Sequence, residues 1–165
     1  MGETVKGYKA FEKGLVGFND FQYEIGGTYH LEGEVKRLGN GFWFCENIED
    51  TFRYLSKSGN EMEICSVIGS GEVKKFTDDY YGYDIVGCTD IYIERLIPRN
   101  EIYGMFLEEL CKPYKNLIKV ERFVRDYEWT EEEIEEIKSY LTESEINRFQ
   151  YITPLSEKHL IKEKL

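Results

Sequence analysis

The chain has 165 residues, 32 of them acidic and 21 basic, a net charge of −11 and a hydrophobic content of 41%. That length allows one packed core with a helical appendage. The charge argues against direct binding to a phosphate backbone, because the cations do not cluster: Lys74-Lys75 and Lys162 with Lys164 are short and diluted.

Four cysteines, at 45, 65, 88 and 111, form no Cys-x-x-Cys pair, and the only histidines are at 30 and 159, which argues against a zinc site. No apolar run reaches membrane-spanning length, and the polar start Met1-Gly2-Glu3-Thr4 is unlike a secretory leader. A cytoplasmic chain with reduced, buried thiols is the expectation.

Alternation marks the first half as strands. Val5 and the stretch Tyr8 to Phe11 predict a strand over residues 4–11, with Gly14, Gly17 and Asn19-Asp20 in the loop after it. Phe21, Tyr23 and Ile25 alternate and predict a second strand, Gly26-Gly27 a turn, and Thr28 to Leu31 a short return strand. After a turn at Gly39-Asn40-Gly41, the run Phe42-Trp43-Phe44-Cys45 holds too many bulky side chains in succession for one face in water. It reads as a strand buried on both faces or as one lining a pocket.

Asn47 then stands as the N-cap of a helix whose apolar face is Ile48, Phe52 and Leu55, with Ser58-Gly59-Asn60 ending it. Met62 to Ile68 predicts a central strand and Gly69-Ser70-Gly71 a bend or bulge. Phe76 to Asp79 is a polar loop, and Tyr83–Val86 and Asp90–Ile97 are two further strands, the second stopped by Pro98.

Past Pro98 the spacing turns helical. Ile102, Met105, Phe106 and Leu110 share one face of a helix ended by Pro113. Leu117 to Tyr127 suits a helix, although Val120, Phe123 and Val124 also suit a strand. Thr130 with Glu133 and Thr142 with Glu145 both match the capping box, in which hydroxyl and carboxylate satisfy reciprocal backbone donors. Ser156 can cap a last short helix. The whole predicts an α+β chain: a mixed, mostly antiparallel sheet domain over residues 1–112 and a helical extension over 113–165 packed on it.

Candidate chemistry is sparse. His30 titrates nearest neutrality and reads as a general base or as an ordinary strand residue. Cys45, beside the strand-to-helix corner, lacks a histidine partner and reads as a buried thiol. Gly69-Ser70-Gly71 lacks the lysine of a phosphate loop, and Asp78, Asp79 and Asp84 read as a solvated acidic loop before a cation site.

Two resemblances add to this reading. Lys6-Gly7-Tyr8-Lys9-Ala10-Phe11, Phe21-Gln22-Tyr23-Glu24-Ile25-Gly26 with Tyr29, Gly41-Phe42-Trp43-Phe44-Cys45-Glu46-Asn47 and Gly71-Glu72-Val73 together resemble a family of uncharacterised phage and bacterial domains. That resemblance implies a prophage or other mobile-element setting and no particular activity.

More distantly, the order of elements is similar to the ADP-ribosyltransferase fold. It would place Lys6-Gly7 at the first diagnostic strand, Gly41 to Phe44 at the second and Thr89 to Ile93 at the third. The implied cofactor is NAD, held by Lys6, Tyr8, Phe42 and Trp43, with Asp90 or Glu94 as the catalytic acid. All three diagnostic positions depart from that pattern: Lys6 replaces His or Arg, Trp43 replaces Tyr and Asp90 replaces Glu. The shorter Asp withdraws the carboxylate by one methylene.

Two functional expectations follow. One is a small nucleotide-binding module, a degenerate relative of those transferases with an NAD-like ligand. The other is a noncatalytic acidic module whose helices, the run Glu131 to Glu136 foremost, engage a host or phage protein.

Overall fold

The computed structural model describes residues 3–54, 62–77 and 82–150. Contacts divide the chain into two compact units, Met1–Pro98 and Arg99–Leu165. Leu55, the Ser58-Gly59-Asn60 stop, Asp78, Asp79, Ser156 and His159 lie outside the described residues.

The first unit is an open antiparallel sheet. Its strands are β1 (Val5–Glu12), β2 (Thr28–His30), β3 (Phe42–Phe44), β4 (Met62–Thr77) and β5 (Asp84–Leu96), with a short helix α1 (Ile48–Thr51) after β3. β4 and β5 pair along their length; β1 lies along the first half of β4, while β2 and β3 share the far edge of β5. The core packs Val5, Phe11, Tyr23, Phe42, Phe44, Cys65, Val67, Val86, Cys88, Ile91 and Ile93.

On β5 the buried positions change from even (Val86, Cys88) to odd (Ile91, Ile93), and the change falls where β4 shifts register between Ser70 and Val73. The bulge foreseen at Gly69-Ser70-Gly71 is therefore real, and it re-aims the strand instead of ending it. The two strands expected from Tyr83 and from Asp90 are one, because Gly87 and Cys88 continue the ladder against Lys74 and Val73.

β3 buries Phe42 and Phe44 on one face and lays Trp43 half-buried on the other. A Cβ at Gly69 would lie 2.6 Å from the Phe44 ring, one at Gly7 would lie 2.6 Å from the same ring, and one at Gly87 would lie 2.6 Å from the Trp43 indole. Three glycines on three neighbouring strands thus make the shallow beds in which two large rings lie.

The loop before β2 departs from expectation. Phe21 to Ile25 is no strand: the segment folds back on β1 through single bridges, Val16 to Glu12 and Gln22 to Val16. Tyr23 alone of the alternating trio is buried, while Phe21 and Ile25 face solvent. The α-helix at Asn47 is also shorter than its spacing suggested, running on as a 3₁₀ turn from Phe52 to Tyr54. Asn47 occupies the N-cap in an extended conformation, but its side chain makes no capping hydrogen bond.

The second unit contains α2 (Arg99–Leu110), α3 (Leu117–Asp126), α4 (Glu131–Ser139) and α5 (Glu143–Gln150). Leu117 onward is helical, with the Asn116 side chain accepting from Lys119 N at 3.1 Å. Both capping boxes form: Thr130 N–H donates to Glu133 Oε1 at 2.7 Å and Thr142 N–H to Glu145 Oε1 at 2.9 Å, each answered by the reverse bond to the hydroxyl. Trp129 is the centre of packing: it is fully buried, contacts Tyr103, Phe106 and Tyr127, and donates its indole N–H to Phe123 O at 2.9 Å. Among the described residues no helix is long and apolar enough to cross a membrane.

Candidate functional site

The residues singled out by sequence fall on different surfaces of the sheet unit. Lys6 is exposed and Tyr8 half-buried, on the face of β1 opposite Val5, Gly7 and Phe11. Lys6 pairs with Ile68, and Ile68 with Tyr92, so Lys6 shares the solvent-facing side of the sheet with Tyr92 and its strand neighbours Asp90 and Glu94. Phe42 points the other way, into the core beside Tyr23. Trp43 rests half-buried against Phe76, with ring centroids 5.7 Å apart.

Asp90 is held where it stands. Thr89 Oγ1 donates to its Oδ2 at 2.8 Å, and His30 Nδ1 lies 2.8 Å from its Oδ1. These bonds keep the carboxyl below its usual range, the Thr89 bond contributing most. His30 Nε2 in turn lies 2.9 Å from Glu32 Oε1, and the two carboxylates raise the imidazole above its usual value, Asp90 foremost. Both ring nitrogens of His30 thus face carboxylate oxygens, and in its protonated form the ring donates to both. That geometry suits a charge-pairing role.

The group that sequence reasoning missed is Lys9. It lies on the core side of β1, in phase with Val5, Gly7 and Phe11, and that phase was the available signal. Its ammonium donates to Trp43 O at 2.7 Å and lies 5.7 Å from the Phe11 ring centroid and 5.9 Å from that of Tyr23. The Tyr8 and Cys45 backbones exchange hydrogen bonds at 2.6 and 2.9 Å, joining β1 to the residue after β3. One step further, the Lys9 amine takes the Trp43 carbonyl that Ala10 N–H would have met had the pairing continued.

Burial lowers the Lys9 amine to about 8. The ionisable groups around it stay neutral near pH 7, since burial pushes Cys45 and Tyr23 up to about 12 and Cys88 up to about 11. Among the described residues no carboxylate pairs with Lys9; what stabilises its charge is a carbonyl dipole and two ring faces. Cys45, raised as it is, is a buried thiol and not a nucleophile at neutral pH. Among the described residues no cluster of His, Cys, Asp and Glu could hold a metal ion.

This sheet unit is a defined domain type. Residues 5–101, more than half of the chain, match the domain of unknown function DUF7666, and the chain belongs to that family. No curated protein and no solved structure matches it.

Proposed function

We propose that the chain is a noncatalytic protein-recognition module, and that the loop between β1 and β2 is its contact surface. The observation that carries this reading is that an ordered, strained loop displays large apolar side chains to water. Phe18 is 90% exposed, Phe21 44% and Ile25 49%.

The loop is not slack. Gly17 N–H bonds to Phe21 O at 2.8 Å, Tyr23 N–H to Leu15 O at 3.0 Å and Gly26 N–H to Ile93 O at 2.7 Å. Leu15, Asn19 and Asp20 all hold positive φ, near +60°. Left-handed backbone costs roughly 1–2 kcal/mol per residue, less for Asn and Asp, whose short side chains tolerate it. A fold that holds such a conformation in order to expose a phenyl ring has prepaid the ordering that binding otherwise requires. Burying one Phe recovers about 1.5–3 kcal/mol, which is the scale of a binding anchor.

The test is a photo-crosslinking residue at position 18, compared with one at the exposed polar position Lys36. Capture of a defined protein at 18 and not at 36, lost in Phe21→Ser, supports the reading. Equal capture at both positions, or capture that survives Phe21→Ser, counts against it.

A second reading has an observation of its own. Lys6, Asp90 and Glu94 share the solvent-facing side of the sheet with the exposed ring of Tyr92, which is the set a nucleotide such as NAD would need if it lay on that face. Calorimetric titration with NAD, repeated in Lys6→Ala, separates the two. Binding at millimolar ligand that requires Lys6 favours the nucleotide, and an unchanged signal favours the protein partner.

A further inference from the structure

We propose that the outer edge of β2 receives an extended basic segment of the partner protein as an added strand. The proposal rests on the reading of the β1–β2 loop as a recognition surface and names what that surface takes.

The parity of the ladder carries the argument. β2 stands at the end of the strand order β1-β4-β5-β2. Ile93 N–H donates to Gly27 O at 3.0 Å and Leu31 N–H to Thr89 O at 2.8 Å, with Tyr29 opposite Ile91 between them. Backbone groups along an antiparallel strand turn alternately to one neighbour and to the other. Gly27, Tyr29 and Leu31 therefore direct theirs to β5, while Thr28 and His30 direct theirs outward. Among the described residues no strand pairs with β2 on that side. Neither Thr28 nor His30 is the Lys or Pro that commonly guards such an edge. An antiparallel segment laid against them gains main-chain hydrogen bonds at both residues, one to each N–H and one to each carbonyl.

The two faces of that edge fix the chemistry of the segment. Residues of the incoming strand opposite Thr28 and His30 put their side chains on the same face as these two. His30 is flanked there by Glu32 Oε1 at 2.9 Å and Asp90 Oδ1 at 2.8 Å, and the exposed Glu94 lies further along the same face. Carboxylates outnumber cations around that edge, which favours Lys or Arg on the incoming strand. The residue opposite Tyr29 faces the other way. Tyr29 rests there against Phe21, with ring centroids 5.6 Å apart, and Phe21 is still 44% exposed. An apolar side chain at that position takes the remaining ring surface out of water. The segment recognised thus alternates basic and apolar residues.

The experiment titrates the full-length protein with three short peptides, followed by calorimetry and by amide hydrogen exchange. The first alternates lysine and valine, the second is the same peptide N-methylated at every lysine, and the third alternates glutamate and valine. Binding of the first with slowed exchange at the Thr28 and His30 amides supports the proposal, as does binding of the second weakened about fivefold for each main-chain bond lost. Equal binding of the methylated or the glutamate peptide, no slowing at those two amides, or no binding at millimolar peptide overturns it. Thr28→Pro removes an outward N–H that β5 does not use, and Thr28→Val removes only the hydroxyl. Protein capture at position 18 that persists in Thr28→Pro leaves recognition by the loop standing and overturns strand addition. Capture lost in Thr28→Pro and kept in Thr28→Val supports both, provided exchange at Ile91 and Ile93 is unchanged. Should that exchange change, the methylated peptide decides alone.

Discussion

The two units are stabilised by opposite means. The helical unit rests on local devices, namely caps made within four residues and a tryptophan wrapped by rings from its own helices and turns. The sheet unit rests on distant ones: Phe44 fits only because Gly7 and Gly69, far away in the chain, lack a side chain, and the Trp43 carbonyl is satisfied by a lysine side chain 34 residues earlier. Local devices fail one at a time. Distant ones fail together, because each element in the sheet is the wall of another's site.

The largest test of that contrast is Trp129→Ala. Loss of a fully buried indole and its bond to Phe123 O should cost about 3–5 kcal/mol. A urea titration read by helical circular dichroism measures it.

Next comes the pH dependence that Lys9 imposes. Its folded value is below its unfolded one, so between about pH 8 and 10.5 the unfolded chain binds more protons and stability rises with pH. Relative to Lys9→Met, wild type should gain roughly 3 kcal/mol across that window, an upper figure for a single group. Near neutral pH the charge should cost a similar amount, offset by the carbonyl that Met leaves without its donor. A flat difference between the two proteins from pH 7 to 10.5 would mean that water reaches the amine.

Gly7→Ala should cost about 1–3 kcal/mol, because the new methyl meets a ring and a fixed backbone oxygen. It should also lower hydrogen-exchange protection at Cys45, whose N–H bonds to Tyr8 O. Smallest is Thr130→Ala, which removes one half of a capping box and should cost about 1 kcal/mol while leaving the sheet's exchange pattern unchanged. If Thr130→Ala disturbed β1 or β4, the separation of local from distant support would be wrong.

The same contrast explains what the sequence disclosed. Capping boxes at Thr130 and Thr142, the stop at Pro98 and the bulge near Gly69 are short-range patterns, each readable within a few residues. Phe21 to Ile25 misled because alternation reports which side a residue faces, and this loop satisfies alternation at Tyr23 while its neighbours stay in water. The site was the least legible. The side-chain period on β1 already put Lys9 inward, but only the placement of β3 shows that its amine finds a carbonyl there and no acid. Lys6 and Trp43 were marked out by pattern, and the strand period that separates Trp43 from Phe42 could not say what lay beneath either ring.

The seam between Tyr8 and Cys45 has a consequence for how the protein behaves in a crowd. A strand edge with unused amides invites a foreign chain to add itself, and on this edge of β1 the pairs Tyr8–Cys45 and Glu12–Val16 leave the stretch between them to be covered. An ammonium lodged where the ladder would have continued occupies the acceptor and brings a positive charge to the doorway. Lys9 is therefore placed to keep the border of the sheet closed to uninvited strands.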